Sequence, residues 1–235
     1  MKIHGFNKLT LLDFPGRVAC TVFTGACNFR CPFCHNATLV LCPESQPAIS
    51  EENILSVLKE RSGYLEGVAI TGGEPTLYSD LPEFIEKISS LGYPVKLDTN
   101  GSNPAMIRNL VERKLINHVA MDIKAAPGNY SAAVGINDFS MDAVFESADL
   151  IMEYGRTGRI AYEFRTTVVN GIHTDTDFEK IGKWIKGADA YYLQQFKDSG
   201  DLISPDGLSA PSYEQMTHYR DILLPNIPNT VLRGL

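Results

Sequence analysis

Short apolar segments alternate with amphipathic segments six times along this chain, and no change of composition separates the units. The apolar segments are rich in Val, Ile, Phe, Tyr and Thr and predict buried strands, whereas the amphipathic segments predict helices. Such alternation predicts βαβ units around a parallel sheet, an α/β fold. Six units are fewer than the eight of a complete barrel, and a doubly wound open sheet is the alternative architecture. The predicted strands span residues 17–24, 67–71, 94–99, 118–123, 160–169 and 190–196, and the predicted helices 50–63, 80–91, 103–114, 140–154 and 175–186.

The two ends of the chain lie outside these six units. Residues 1–13 form a short N-terminal segment, and the tail predicts a helix at 212–223 and a last strand at 229–233. We expect a single domain over residues 1–235, with a core of about 15–198 and a C-terminal extension over 199–235. Residues 25–49 and 128–139 are predicted as loops, and long loops in compact domains are usually functional.

Composition limits which cellular compartment and which partners are expected for this chain. The net charge of −7 makes nucleic acid an unexpected partner. No segment approaches a membrane span and the N-terminus lacks the regions of a signal peptide, so we expect no membrane partner and a cytoplasmic location. Five cysteines, three of them clustered, fit a reducing compartment and a metal better than a disulfide framework.

Three cysteines stand close together in the first predicted loop: Cys27, Cys31 and Cys34. Thiols this close cannot all be bridged in disulfides, but they can bind one metal centre. A structural zinc ion takes four protein ligands, and no downstream pair of histidines or cysteines supplies the missing half. A [4Fe–4S] cluster takes one thiolate per iron, so three thiolates would leave one iron open to a substrate or cofactor. A zinc-binding loop and a chance grouping remain the alternatives.

The remaining two cysteines have weaker claims to a metal. Cys20 lies on the first predicted strand, and a lone cysteine on an apolar element is usually a core residue. Cys42 lies in the same loop as the three clustered cysteines and could act as a stray fourth ligand.

Polar and glycine residues follow three successive predicted strands. In parallel α/β folds, ligands bind where the carboxyl ends of the strands meet, so these segments are expected to lie together beside the cysteine loop. Each segment alone is a weak signal, because Gly-Gly and Asn-Gly are common turns and Asp-x-Lys is a common surface pair. The segments are Gly72-Gly73-Glu74-Pro75, Asp98-Thr99-Asn100-Gly101 and Asp122-Ile123-Lys124.

The cysteine spacing, with Phe33 before the last cysteine, resembles the signature of the radical S-adenosylmethionine (SAM) superfamily. The resemblance implies a partial barrel of six units, open at one side. It also implies one [4Fe–4S] cluster on Cys27, Cys31 and Cys34, whose open iron is chelated by the amino and carboxylate groups of SAM. In that superfamily one electron from the cluster cleaves SAM to methionine and a 5′-deoxyadenosyl radical.

The resemblance also implies which residues contact SAM. The Gly-Gly-Glu-Pro segment binds the methionine amino group, and Lys124 neutralises its carboxylate with Asp122 beside it. Asp98 accepts a hydrogen bond from the ammonium or from a ribose hydroxyl, and Phe33 and His35 flank the last cysteine near adenine. His35 could instead be a solvated loop histidine. The expected cofactor-binding set is Phe33, Cys34, His35, Gly72, Gly73, Glu74, Asp98, Asn100, Asp122, Lys124 and Gln195.

Within the superfamily the motifs over residues 27–124 are similar to those of glycyl-radical-enzyme activases, the relatives of pyruvate formate-lyase activating enzyme. The segments 12–16 and 192–196 resemble the activating protein of anaerobic ribonucleoside-triphosphate reductase more closely. The resemblance implies a glycyl-radical enzyme as protein substrate and flavodoxin or ferredoxin as electron donor. Pyruvate formate-lyase activases have a histidine on the sixth strand where this chain has Phe196, and Gln195 is the expected replacement near the ribose. Only Cys42 follows the motif, so a single cluster is expected.

Two other functions compete with activation of a glycyl-radical enzyme. One is a radical SAM enzyme that acts on a small molecule or a peptide, although the chain has no dedicated substrate domain. The other is a metal-binding or redox module without catalytic activity. Iron content and SAM cleavage under anaerobic conditions separate the module from both enzymes.

Overall fold

One eight-stranded sheet organises the protein. The structure, a computed structural model, describes residues 1–198 and 200–235. The strands follow one another in the sheet in the order of the sequence, from β1 to β8. β1 pairs antiparallel with β2, and every later neighbour is parallel. The strands are β1 Ile3–Thr10, β2 Ala19–Thr24, β3 Gly67–Gly72, β4 Val95–Thr99, β5 His118–Asp122, β6 Ala161–Val168, β7 Tyr191–Gln195 and β8 Thr230–Arg233.

The sequential strand order decides between the two expected architectures. A doubly wound sheet reverses its strand order at a switch point, whereas β2 to β7 succeed one another without reversal. Right-handed crossovers in one direction place the connecting helices on one face of the sheet, which is the arrangement of a barrel. Within the described residues β1 and β8 do not pair with each other, so the barrel is open. The expected partial barrel is confirmed, and the doubly wound alternative is wrong.

The helices begin where the sequence predicts that they should. The Ser50 side chain accepts a hydrogen bond from the Asn53 N–H, and Thr174 forms a reciprocal capping box with Asp177. Each helix between parallel strands buries one apolar stripe against the sheet. The helices are α1 Ala37–Leu41, α2 Glu51–Glu60, α3 Leu81–Ser89, α4 Pro104–Glu112, α5 Tyr130–Val134, α6 Asp142–Arg156, α7 Asp175–Trp184 and α8 Tyr213–Leu223.

Several segments have more regular structure than their sequence indicates. The N-terminal segment contains β1, which buries only Ile3 and Thr10 and therefore lacks the alternation of a half-buried strand. The two predicted loops contain the short helices α1 and α5. The tail forms α8 and β8 as the sequence predicts, and β8 pairs with β7 at the edge of the sheet. The boundary expected at residue 199 lies outside the described residues.

The inner face of the sheet carries charged side chains. Because successive residues of a strand point to opposite faces, Lys96 and Asp98 of β4 share one face, as do Glu163 and Arg165 of β6. Arg165 makes an ion pair with Asp98, so this shared face is the concave interior of the barrel. Alternate residues, such as Leu97, are apolar and fully buried. Within the part of the chain that the structure describes, no helix has the length and apolar character needed to cross a membrane.

Candidate active site

A cavity opens at the carboxyl ends of β3 to β6, where the loop after β2 folds over the barrel mouth. The cavity has an empty volume of about 800 Å³, which includes the part that is open to solvent. Every site residue predicted from the sequence lines this cavity except Gln195, whose amide donates to the Pro211 carbonyl at 2.9 Å. The sequence therefore predicts correctly which segments meet at this cavity, while the contacts of each residue with SAM stay predictions.

The segment that carries the three cysteines is fixed by its own backbone. The Cys34 N–H donates to the Cys31 carbonyl over 3.0 Å, and the Phe29 N–H donates to the Cys27 sulfur over 3.4 Å. The Arg30 guanidinium donates to the Cys27 carbonyl over 2.6 Å. All three cysteines are free thiols in a rigid turn that faces the cavity.

Burial makes these thiols poor acids in the absence of a metal. It raises the pKa of Cys27 to about 11 and that of Cys31 to about 12, and neighbouring thiols add to the effect. A metal ligand must be a thiolate, so binding of a cluster would release these protons. The described residues contain no group of three His, Cys, Asp or Glu side chains placed around a single metal ion. A cluster has a different requirement, because each thiolate binds a separate iron. Three free thiols on one cavity wall therefore fit a [4Fe–4S] cluster.

Gly72 and Gly73 are required by contacts within the protein itself. Gly72 has a φ of +118°, and a Cβ there would lie 2.4 Å from the Thr24 backbone. A Cβ on Gly73 would lie 1.7 Å from the Ala26 carbonyl oxygen. The Gly73 N–H donates to the Thr24 carbonyl at 2.8 Å. The expected reason for these glycines, close approach of a ligand, is thus incomplete, because the end of β2 occupies the space of a side chain at Gly72 and the start of the cysteine loop occupies that of a side chain at Gly73.

Glu74 joins two strand ends instead of presenting a free carboxylate. One carboxylate oxygen accepts from the hydroxyls of Thr76 and Thr99, at 2.5 and 2.8 Å, and the other accepts from the Asn100 N–H at 2.6 Å. The side chain is 1% exposed. Burial raises the pKa of Glu74, although these hydrogen bonds favour its charged form. Its carboxylate is therefore saturated by protein donors.

Asn100 ties this strand end to the cysteine loop. Its amide donates to the Asn28 side chain at 2.9 Å and lies 3.7 Å from the Cys27 sulfur. Asn100 is thus placed to donate a hydrogen bond to a Cys27 thiolate.

Five charged side chains form an alternating row across β4, β5 and β6. Arg165 holds the centre, with one nitrogen 3.0 Å from Asp98 and another 3.0 Å from Asp122. Lys96 contacts Asp98 at one end of the row, and Lys124 lies 2.9 Å from Asp122 at the other. Of the three cations, Arg165 and Lys124 line the cavity. Arg165 contacts two carboxylates, whereas Lys124 contacts only Asp122, so Lys124 is the better placed of the two to bind an anionic group.

The charges of this row shift one another's pKa values. Burial alone would raise the pKa of Asp98, but Arg165 and Lys96 hold it below its ordinary value. Burial would likewise lower the pKa of Lys124, but the Asp122 carboxylate keeps it well above the usual range. Asp98, Asp122, Lys124 and Arg165 are therefore held in their charged forms.

Sequence reasoning missed Arg165. The available signal was the alternation on strand 160–169, which places two charged residues, Glu163 and Arg165, on one face of an otherwise buried strand. A charged residue on such a strand must find a partner, and the partners here come from β4 and β5.

His35 lies at the rim of the cavity beside an aromatic ring. Its imidazole packs on Phe196 with 5.6 Å between ring centroids, and burial lowers its pKa. Phe196 itself is buried. The two rings form an apolar wall beside the last cysteine, and neutral His35 is compatible with stacking on a flat, uncharged ring.

An open parallel barrel with a three-cysteine loop at its mouth is the arrangement expected of a radical SAM enzyme, and comparison with known protein families gives the same class. The model of the radical SAM superfamily matches residues 21–185. The chain belongs to this superfamily, whose members use a [4Fe–4S] cluster and SAM. It is an enzyme of the kind represented by the relatives below.

Two archaeal relatives extend the comparison beyond the superfamily. A candidate glycyl-radical enzyme activating enzyme of Methanocaldococcus jannaschii is 30% identical over 236 residues, covering 99% of this chain and 96% of the relative. A second candidate activating enzyme of the same organism is 27% identical over 73% of this chain and 64% of its own length.

Solved structures agree at the level of the fold. Streptococcus suis SuiB bound to its precursor peptide SuiA superposes with a TM-score of 0.68 at 15% identity, over 91% of this chain. This chain spans only 48% of SuiB. QueE from Escherichia coli gives a TM-score of 0.57 at 15% identity and covers all of this chain and 94% of its own.

Proposed function

We propose that this enzyme generates a glycyl radical on a partner protein. The observation that carries the proposal is the relative named as a candidate glycyl-radical enzyme activating enzyme, which matches this chain over nearly the full length of both. A match confined to the cysteine motif would support only the superfamily. This one also includes the strand ends and the tail, where substrate preference is expected to be determined.

The residues of this chain have separate tasks in the proposed reaction. Cys27, Cys31 and Cys34 hold the cluster, and Lys124 binds the carboxylate of SAM. When bound, the two cofactors supply a carbon radical able to remove a hydrogen atom from a substrate. Reactive atoms must come within about 3–3.5 Å, so the target glycine must enter the cavity on an extended loop. The open side of the barrel suits such a loop.

We assign anaerobic ribonucleoside-triphosphate reductase as the partner protein. The support is the resemblance of residues 12–16 and 192–196 to the activating protein of that reductase. Flavodoxin or ferredoxin is the proposed electron donor, as the activase resemblance implies. The cytoplasm is the proposed compartment, since five free thiols persist in a reducing environment.

A second candidate function is modification of a peptide or a small molecule. The observation that favours it is the superposition on SuiB, a structure solved with a bound precursor peptide. An open mouth suits a free peptide as well as a protein loop. The near-complete coverage of the archaeal relative makes activation the preferred function.

Electron paramagnetic resonance tests the proposal. Cluster-loaded protein, SAM, a reductant and the anaerobic ribonucleotide reductase from the same genome are mixed under anaerobic conditions. We expect a persistent doublet from a protein glycyl radical, and no doublet with the Cys31→Ala variant. If SAM is cleaved but no glycyl-radical enzyme of that genome gives a doublet, activation is wrong and the peptide or small-molecule function is supported.

A further inference from the structure

The backbone of Lys124 lies beyond the strand pairing. β5 ends at Asp122, and the Ile123 N–H still donates to the Arg165 carbonyl of β6, but both backbone groups of Lys124 pair with side chains. The Lys124 N–H donates to the Tyr130 hydroxyl over 3.4 Å. The Lys124 carbonyl lies 2.9 Å from Nε2 of His173, a residue of the loop between β6 and α7. The SAM-binding role proposed for Lys124 therefore depends on a main chain that side chains hold in place.

The hydrogen bonds of His173 define its tautomer. The Val169 N–H donates to Nδ1 over 3.0 Å, so Nδ1 presents a lone pair and the proton of the neutral ring is on Nε2. Nε2–H then donates to the Lys124 carbonyl. In the opposite tautomer, Nδ1–H could donate to the Val169 carbonyl at 3.3 Å. That tautomer would place Nδ1–H against the Val169 N–H, and it would leave the Lys124 carbonyl facing the lone pair of Nε2. Burial lowers the pKa of His173, in agreement with a neutral ring.

The same ring contacts the cysteine loop. His173 packs edge-on against Phe33, with 6.4 Å between ring centroids. Phe33 stands between Cys31 and Cys34 and is 4% exposed. One fully enclosed side chain therefore touches both the loop expected to hold the cluster and the backbone of the lysine expected to hold the SAM carboxylate.

We infer that His173 is a positioning residue for SAM. Its Nε2–H fixes the carbonyl of Lys124, and its ring fixes the distance between that lysine and the cysteine loop through Phe33. SAM must reach the cluster and the lysine together, so a change in their separation weakens SAM binding even where both groups are intact. The inference rests on the contact proposed for Lys124 and is independent of the identity of the partner protein.

Two amide variants isolate the Nε2–H bond. In His173→Asn the amide can replace Nδ1 but is too short to reach the Lys124 carbonyl, whereas in His173→Gln the amide extends to the position of Nε2. SAM affinity is measured by calorimetry on cluster-loaded protein, without any partner. We expect the Asn variant to raise the dissociation constant of SAM about tenfold and the Gln variant less than threefold, because the lost bond contributes on the order of a neutral hydrogen bond. Iron content and thermal unfolding verify that both variants are folded and loaded.

A double-mutant cycle shows whether His173 acts through Lys124. If it does, His173→Asn has no further effect on SAM affinity in a Lys124→Ala background. Equal losses in the two backgrounds, unchanged affinity in the Asn variant, or equal weakening by Asn and Gln would each overturn the inference.

A measurement on the unaltered protein tests the same geometry. Long-range proton–nitrogen spectra of the imidazoles should show His173 with a protonated Nε2 and an unprotonated Nδ1 at neutral pH. The opposite tautomer, or an imidazolium, would contradict the hydrogen bond to Lys124. Failure of the glycyl-radical assay would leave all of these results unaffected.

Discussion

Cys27, Cys31 and Cys34 differ from the other two cysteines in position. These three line the cavity, whereas Cys20 is buried in the core and Cys42 is exposed. We expect Cys→Ala at any of the first three to abolish binding of the cluster, because a cubane with two protein ligands has two open irons. The measurements are iron content and visible absorbance after anaerobic reconstitution.

Cys42→Ala is the matched control for this experiment, since its thiol is exposed and its removal creates no core cavity. Full iron content in all three variants would show that the cysteines do not hold the cluster. Loss of iron in the Cys42 variant would show that the motif has a fourth ligand.

Lys124 lines the cavity together with the cysteines, and its positive charge favours the thiolate forms of Cys27 and Cys31. Lys124→Ala should weaken SAM binding by about ten- to a hundredfold, the loss of one charge-assisted hydrogen bond of roughly 1.5–3 kcal/mol. Calorimetry on reconstituted protein measures the change. Lys186→Ala, at an exposed position outside the cavity, is the control. An unchanged affinity in Lys124→Ala would show that the carboxylate of SAM binds elsewhere.

The end of β3 packs directly against the start of the cysteine loop. We expect Gly73→Ala to displace the Ala26 carbonyl, because the added carbon would lie 1.7 Å from its oxygen. The variant should lose about 1–3 kcal/mol of unfolding free energy, the cost of overpacking against backbone, and should bind less iron. Gly128→Ala is the matched control, because a Cβ there would meet only the Lys180 ammonium group at 3.8 Å. Equal stability of the two variants in chemical unfolding would refute the steric argument.

The strands that could be predicted are those whose own residues indicate a strand, without reference to a distant pairing partner. All six predicted strands are present within two residues of their expected ends, because each is a short segment rich in β-branched, aromatic and other apolar residues. β1 could not be predicted, because its stability comes from pairing with β2, a long-range property. The sequence predicts that the glycines at 72 and 73 face a ligand, whereas they pack against the end of β2 and the start of the cysteine loop, almost fifty residues earlier in the chain.

The charged interior of the barrel makes the stability of the whole molecule depend on pH. Nε2 of His118 is buried without a hydrogen-bond partner. Burial and the nearby Lys96 charge lower its pKa to about 4, although Glu163, at 3.9 Å, acts in the opposite direction. The unfolded chain therefore binds a proton below about pH 6.5 that the folded chain does not bind until about pH 4. Stability from this residue is complete above pH 6.5 and is lost as the pH falls towards 4.

His118→Phe tests this dependence. The variant keeps the edge-on contact with Phe14 but cannot titrate. Between pH 7 and pH 4.5 the unaltered protein should lose about 2 kcal/mol more unfolding free energy than the variant. Other buried histidines, such as His173, are present in both proteins and cancel in the difference. Parallel pH profiles in urea unfolding would show that His118 titrates alike in the folded and unfolded chains.

Contacts with the segment that follows β7 complete the cysteine loop. Thr38 donates to Asp201 at 3.0 Å, and the Ser204 N–H donates to the Pro32 carbonyl at 3.0 Å. These partners are more than 160 residues apart in the sequence. A nascent chain on the ribosome presents its cysteines long before Asp201 and Ser204 have been synthesised and before β8 has joined the sheet. The enclosed form of the metal-binding loop is therefore a property of the finished polypeptide, and we expect stable acquisition of iron to follow the end of translation.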